Sequence, residues 1–136
     1  MSKFESSIKI IPFSREKVYY KISDLTNLES VKDKIPQDKV LNLSFDKDSL
    51  SFDISPVGQI SLSIVDREPD KCVKFQSDKS PVPFNLWIQL VPLEEDRCKI
   101  KLTMDAELNP FIKSMVQKPL QEGLEKLADV LAGVDY

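Results

Sequence analysis

Histidine is absent from this 136-residue sequence. That removes at once the usual general base near neutral pH, the commonest nitrogen ligand for metals and every Ser-His or Cys-His pair. Cysteine occurs only as Cys72 and Cys98, too few for a disulfide framework or a zinc site. Both fall in segments that read as strands and are expected to be reduced thiols. An excess of either charge is missing too. The 19 basic and 22 acidic residues give a net charge of -3, which offers no electrostatic footprint for nucleic acid or an anionic membrane. No stretch approaches the roughly 20 uninterrupted apolar residues of a membrane-spanning helix. Residues 1–7 are polar apart from Met1 and Phe4 and lack the regions of a secretory signal. The expectation is a cytoplasmic protein with no membrane span, no nucleic-acid partner, no metal and no cofactor. With 41% apolar and 30% charged residues, the chain has the composition of one globular domain over residues 1–136.

What is present is a sequence of changing periods. Phe4, Ser6, Ile8 and Ile10 alternate with Glu5, Ser7 and Lys9, the period of two of a first strand with one wet face. Ser14 can cap a short helix from Arg15 to about Ser23, with Val18, Tyr19 and Ile22 inward. Asp24 or Thr26 can cap a second, carrying Leu25, Leu28, Val31 and Ile35 before Pro36 stops it. From Val40 the pattern is β for about 65 residues. Turns are expected at Asp46–Asp48, Pro56–Gly58, Pro69–Lys71, Ser80–Pro83 and Glu94–Arg97. Asn109-Pro110 is a cap followed by proline at the first helical position, and Gly133 closes a long final helix. Its apolar stripe is Val116, Leu120, Leu124, Leu127 and Leu131. Pro119 cannot donate to the Met115 carbonyl, which predicts a kink and makes residues 111–118 a candidate gate.

One strand, two short helices, six antiparallel strands and one long C-terminal helix is an order that resembles the START-like (SRPBCC, pollen-allergen-like) superfamily. The resemblance covers nearly the whole chain. It rests on Ser7-Ile8-Lys9-Ile10 leading to Ser14-Arg15-Glu16-Lys17-Val18-Tyr19, then Ile22-Ser23-Asp24-Leu25-Thr26-Asn27-Leu28. In the tail it rests on Asn109-Pro110-Phe111 with Leu120, Gly123, Leu124, Leu127 and Leu131. It implies an α+β helix-grip fold, a curved antiparallel sheet of about seven strands wrapped around the last helix. The superfamily includes lipid and sterol carriers, polyketide cyclases and chaperone activators, so the resemblance implies fold more narrowly than function. The missing histidine and the lack of an aromatic cluster after Asp24-Leu25 weigh against a cyclase.

A curved sheet that grips one helix leaves room for an apolar pocket. Its candidate lining is Leu50, Phe52, Ile54, Ile60, Leu62, Ile64, Phe75, Phe84, Leu86, Ile88, Ile100, Leu102 and Met104 from the sheet. Phe111, Met115, Leu120 and Gly123 join them from the helix. The same side chains are large enough to close the space as a packed core. Gly123 falls on the helix's inner face, reserved either for a close strand aromatic such as Phe52 or Phe84 or for a ligand. Lys113 is the candidate contact for a polar head group. Trp87, out of phase with Leu86 and Ile88, belongs on the outer face, over lysine stems such as Lys99 or Lys101 or as the anchor of a dimer or partner interface. Polar groups expected inside are few: Ser6, Cys98 and Tyr19 or Tyr20. Asp24 reads as a cap, and Asp66 and Glu68 as turn or strand-end residues. These residues point to non-enzymatic binding of a small hydrophobic or lipid-like molecule, with a protein-interaction module, homodimeric or otherwise, as the alternative.

Overall fold

A computed structural model of the chain describes residues 2–30, 32–34, 40–54, 58–80 and 82–136. The expectations for Val31, Ile35, Pro36, Pro56 and Pro81, and for the Ile54 side chain, lie outside the described residues.

The first strand is two. β1 (Ser2–Glu5) and β2 (Lys9–Ile11) both pair with β8 (Arg97–Ala106), Glu5 opposite Thr103 and Lys9 opposite Ile100. Residues 6, 7 and 8 therefore span a gap opposite only Lys101 and Leu102, a one-residue excess that shifts the side-chain phase. Phe4 and Ser6 are buried, then Ile8 and Ile10 are exposed and Ile11 is buried. The continuous alternation expected through Ile10 is corrected accordingly, and the sheet has eight strands among the described residues instead of seven.

Ser14 caps α1 (Arg15–Ile22), accepting from the Lys17 amide, and Val18 and Ile22 are its buried residues. The second helix is a 3-10 segment, Leu25–Ser30, followed by a shorter one at Lys32–Lys34. Its polar side chains favour the tighter turn: Asp24 Oδ1 accepts from the Thr26 amide and hydroxyl, and Ser30 donates to the Asn27 carbonyl. Leu25 alone of its residues is buried.

The remaining strands form an antiparallel meander: β3 (Val40–Phe45), β4 (Ser49–Ile54), β5 (Gly58–Glu68), β6 (Cys72–Lys79), β7 (Phe84–Glu94) and β8. The sheet order is β1-β8-β7-β6-β5-β4-β3, with β2 beside β1 on β8. β1 with β2 and β3 are thus the two edges. β3 is irregular, with a register shift between Leu41 and Ser44 and Asn42 at φ 55°. The Asn42 side chain donates to Asp53 Oδ2 at 2.6 Å.

The long helix α2 (Pro110–Ala132) begins at Asn109, whose side chain accepts the Ile112 amide. It runs on through Pro119 and ends where the Gly133 amide bonds to the Asp129 and Val130 carbonyls. It packs against β1, β2 and β8, while α1 packs against β6, β7 and β8. Val116, Leu124 and Ala128 are its buried residues. Ala128 replaces Leu127 in the expected stripe, and Leu127 is 36% exposed. Residues four apart drift about 40° around a helix, so a row at that spacing follows a helix lying obliquely on a sheet.

Candidate functional site

Rows of residues four apart divide α2 into flanks with different chemistry. The core row is Ile112, Val116, Leu120, Leu124 and Ala128. On the side toward β1 and β2 lies a polar row: Lys113, Gln117, Gln121, Glu125 and Asp129. This row makes a seam. The Gln121 amide donates to the Glu5 carbonyl at 2.8 Å, and the Ser7 amide and hydroxyl both donate to Glu125 Oε1. Lys9 Nζ lies 2.9 Å from Asp129 and 3.7 Å from Glu125. Those bonds from Ser7 hold the Glu125 carboxyl below its ordinary range, with Lys9 adding to the effect.

The opposite flank is the row Phe111, Met115, Pro119, Gly123 and Leu127, all exposed. It has no charge and no hydrogen-bonding side chain. Phe111 is 75% and Met115 61% exposed. A Cβ built on Gly123 would meet nothing within 4 Å. The close strand aromatic expected there, Phe52 or Phe84, is therefore not the reason for the glycine; open space lies above it.

The sheet contributes less lining than expected. Leu62, Ile64, Phe75, Leu86, Ile88 and Leu102 are buried in one cluster with Phe4, Ile11, Val18, Leu25 and Ile100, and belong to the packed core. Phe52, Phe84, Met104 and Leu120 are half-buried at its margin, as are Leu50 and Val82. Phe52, Phe84 and Met104 share the inner face: Phe52 pairs with Ile60, Phe84 with Ala106 and Met104 with Phe4, each partner buried. The apolar surfaces that the core leaves uncovered are thus half-buried aromatics on the sheet and the uncharged row of α2.

Lys113 stands elsewhere. It lines a groove of about 590 Å³ between β1 and α2, with Ser2, Lys3, Phe4, Ser114, Gln117, Lys118, Gln121 and Glu122. On the helix it stands on the other flank from Gly123, with the core row between them. Lys3 and Lys118 were not singled out from sequence, because only the folded edge strand brings them together. Trp87 is half-buried on the outer face as its phase predicts, but Lys74 covers it, Nζ 5.2 Å from the ring centroid. Register decides this: Trp87 pairs directly with Lys74 on β6 and Thr103 on β8, whereas Lys99 and Lys101 pair with other positions.

The inner polar groups are occupied or suppressed. Ser6 Oγ accepts the Leu102 amide at 2.9 Å and donates to the Ser7 carbonyl. Burial pushes the Cys72 thiol up to about 11, helped by Glu68 and Asp66, and raises the Cys98 thiol, with Glu16 adding to it. Tyr19 is raised by its own burial, and Tyr20 is exposed. A nucleophile needs the opposite shift. Asp24 bonds Thr26 as a cap, as expected. Among the described residues no group of His, Cys, Asp and Glu could hold a metal ion. Among the described residues no helix is long and apolar enough to cross a membrane.

No protein-family model and no curated protein matches this sequence. Solved structures do match in shape. Norcoclaurine synthase from Thalictrum flavum superposes with a TM-score of 0.75 at 16% identity, over 96% of this chain and 84% of its own. A START superfamily protein from Mycobacterium smegmatis gives 0.72 at 17% identity, over 96% and 94%. A conserved protein from Geobacillus kaustophilus gives 0.64 at 18% identity, over 96% and 89%. At such identities the likeness speaks for architecture alone: an antiparallel sheet closed on one long C-terminal helix, the START-like helix-grip fold, is the fold of this chain.

Proposed function

We propose that the protein binds a small hydrophobic molecule, without catalysis, in the cleft between the uncharged row of α2 and the inner face of the sheet. The observation that carries this reading is the open space above Gly123. Glycine in a helix interior is about 1 kcal/mol less favourable than alanine, and no neighbouring atom requires it here. Of the helical neighbours three and four residues away, Pro119, Leu120 and Leu127 are apolar and Lys126 is charged. A guest lying there would cover surface that the protein itself leaves wet. The fold neighbours named above include both a START protein and a synthase, and this chain's inner polar groups favour the carrier reading. Ser6 is committed to backbone bonds, and both thiols are held protonated.

A second reading rests on Phe111 and Met115, four residues apart and exposed on one flank. Such a pair suits a protein partner or a second copy of the chain. Trp87, screened by Lys74, no longer recommends itself as the anchor.

Native mass spectrometry of protein purified without detergent, compared with the denatured chain, tests both. A small-molecule adduct lost on denaturation, and diminished in Gly123→Trp, is the expected result. An apo monomer that also leaves an apolar fluorescent dye dark would overturn the carrier reading. An apo dimer that dissociates in Phe111→Ala, Met115→Ala would establish the interaction module instead.

A further inference from the structure

The groove between β1 and α2 lies on the opposite flank of the helix from its uncharged row and has a different chemistry. Three of its lining residues are lysines, Lys3, Lys113 and Lys118, against one acid, Glu122. This occurs on a chain whose net charge is -3. Lys3 shares Glu5 with Lys101, each 3.4 Å from a Glu5 oxygen. Among the described residues Lys113 and Lys118 have no ion-pair partner. Ser2, Ser114, Gln117 and Gln121 supply further polar groups along the walls, and buried Phe4 lies at the base.

A second observation points the same way. The helix dipole favours acids near the N-terminus and bases near the C-terminus. α2 has no acidic residue in its first turn and no basic residue in its last. Two of its three lysines, Lys113 and Lys118, lie in the first half, and Glu122, Glu125 and Asp129, with Lys126 among them, follow in the second. Glu125 and Asp129 are explained by the seam with Ser7 and Lys9. The lysines of the first half have no such explanation within the chain. They gather positive charge along the side of the helix that faces β1, which suits an anion held between strand and helix.

We propose that this groove binds a phosphate-type anion through Lys3, Lys113 and Lys118. The same chemistry is offered by a free phosphate ester or by the head group of an anionic lipid, and two probes separate them. Inorganic pyrophosphate is titrated into the labelled protein and followed by amide NMR. In parallel, the protein is sedimented with vesicles of phosphatidylcholine, with and without phosphatidylglycerol. Saturable shifts confined to Lys3, Lys113, Ser114, Gln117 and Lys118 are expected for a free anion. The double variant Lys113→Gln, Lys118→Gln should weaken them about tenfold or more, as charged hydrogen bonds are worth that much. Lys47→Gln, far from the groove, should not. Phosphatidylglycerol-dependent sedimentation abolished by the same double variant, with no pyrophosphate shifts, would assign the anion to a lipid. Glu122→Gln should tighten whichever is bound. Because the dipole disfavours Lys113, the double variant should melt no lower than the parent, so lost binding would not reflect unfolding. Pyrophosphate shifts spread over many lysines, or binding indifferent to the double variant, would reveal adventitious surface attraction and overturn the proposal.

Discussion

The hydroxyl of Ser6 accepts the backbone amide of Leu102 at 2.9 Å, while the Ser6 amide donates to the Leu102 carbonyl at the same distance. Between β1 and β2 a side chain thus stands in for a missing rung of the ladder, and the sheet continues across the break. Leu102 is fully buried there, so water cannot replace the acceptor.

Ser6→Ala should therefore destabilise the protein by about 1–3 kcal/mol, the cost of leaving a buried donor without a partner. Urea unfolding measures it: a lower midpoint with an unchanged slope is expected, and an unchanged midpoint would show that the hydroxyl is dispensable.

Substitutions at Gly123 should separate stability from uptake. Gly123→Ala removes a helix defect and meets no neighbour within 4 Å, so it should raise stability by up to about 1 kcal/mol. Gly123→Trp should fold as well but take up less of any apolar guest. A destabilised alanine variant would mean that the space above Gly123 is filled.

The seam between α2 and the β1–β2 edge should respond to pH in two directions. Glu125 is held below its ordinary value of 4.5, so its stabilisation is present above that value and lost as pH falls through the lowered one. Lys9 is raised above its ordinary 10.5, chiefly by Asp129; its contribution is complete below that value and lost as pH rises through the raised one. Both groups are solvent-accessible, so salt should weaken the effect. Thermal melts across acid pH should show a loss of stability that Glu125→Gln removes; an identical acid profile in the variant would place the titration elsewhere.

Trp87 is the single tryptophan, which makes its cover directly visible. Lys74→Ala should expose the ring and shift its emission to longer wavelength, while Lys99→Ala and Lys101→Ala should leave it unchanged. A spectrum unmoved by Lys74→Ala would mean that neighbouring side chains, not the lysine, shield the ring.

Legibility in the sequence followed the range of the interactions. The bounds of α2 were readable because Asn109, Pro110 and Gly133 act on adjacent backbone groups. The outward phase of Trp87 was readable because period two holds along an unbroken strand. Ile8 and Ile10 misled because the alternation was counted across an extra residue that only the pairing with β8 reveals. The lysine above Trp87 and the lysines beside Phe4 depend on register and on which edge α2 meets, neither of which a single chain displays. Gly123 was identifiable as an anomaly of helix propensity, yet whether a neighbour or a void explained it required the third dimension. The pocket lining divided for a related reason: alternation separates inner from outer, but it does not distinguish deep core, such as Ile88, from margin, such as Phe84.

The irregularity of β3 bears on the company this molecule keeps with its own copies. A sheet with free margins is a template on which further chains can stack into fibres. At β3 the left-handed Asn42, tied to Asp53, throws successive ladder groups out of line between Leu41 and Ser44. An incoming strand would find matching rungs only over a residue or two at a time. The strand's own irregularity thus disfavours fibre growth from that margin, with no proline or charged residue within β3 to add to it.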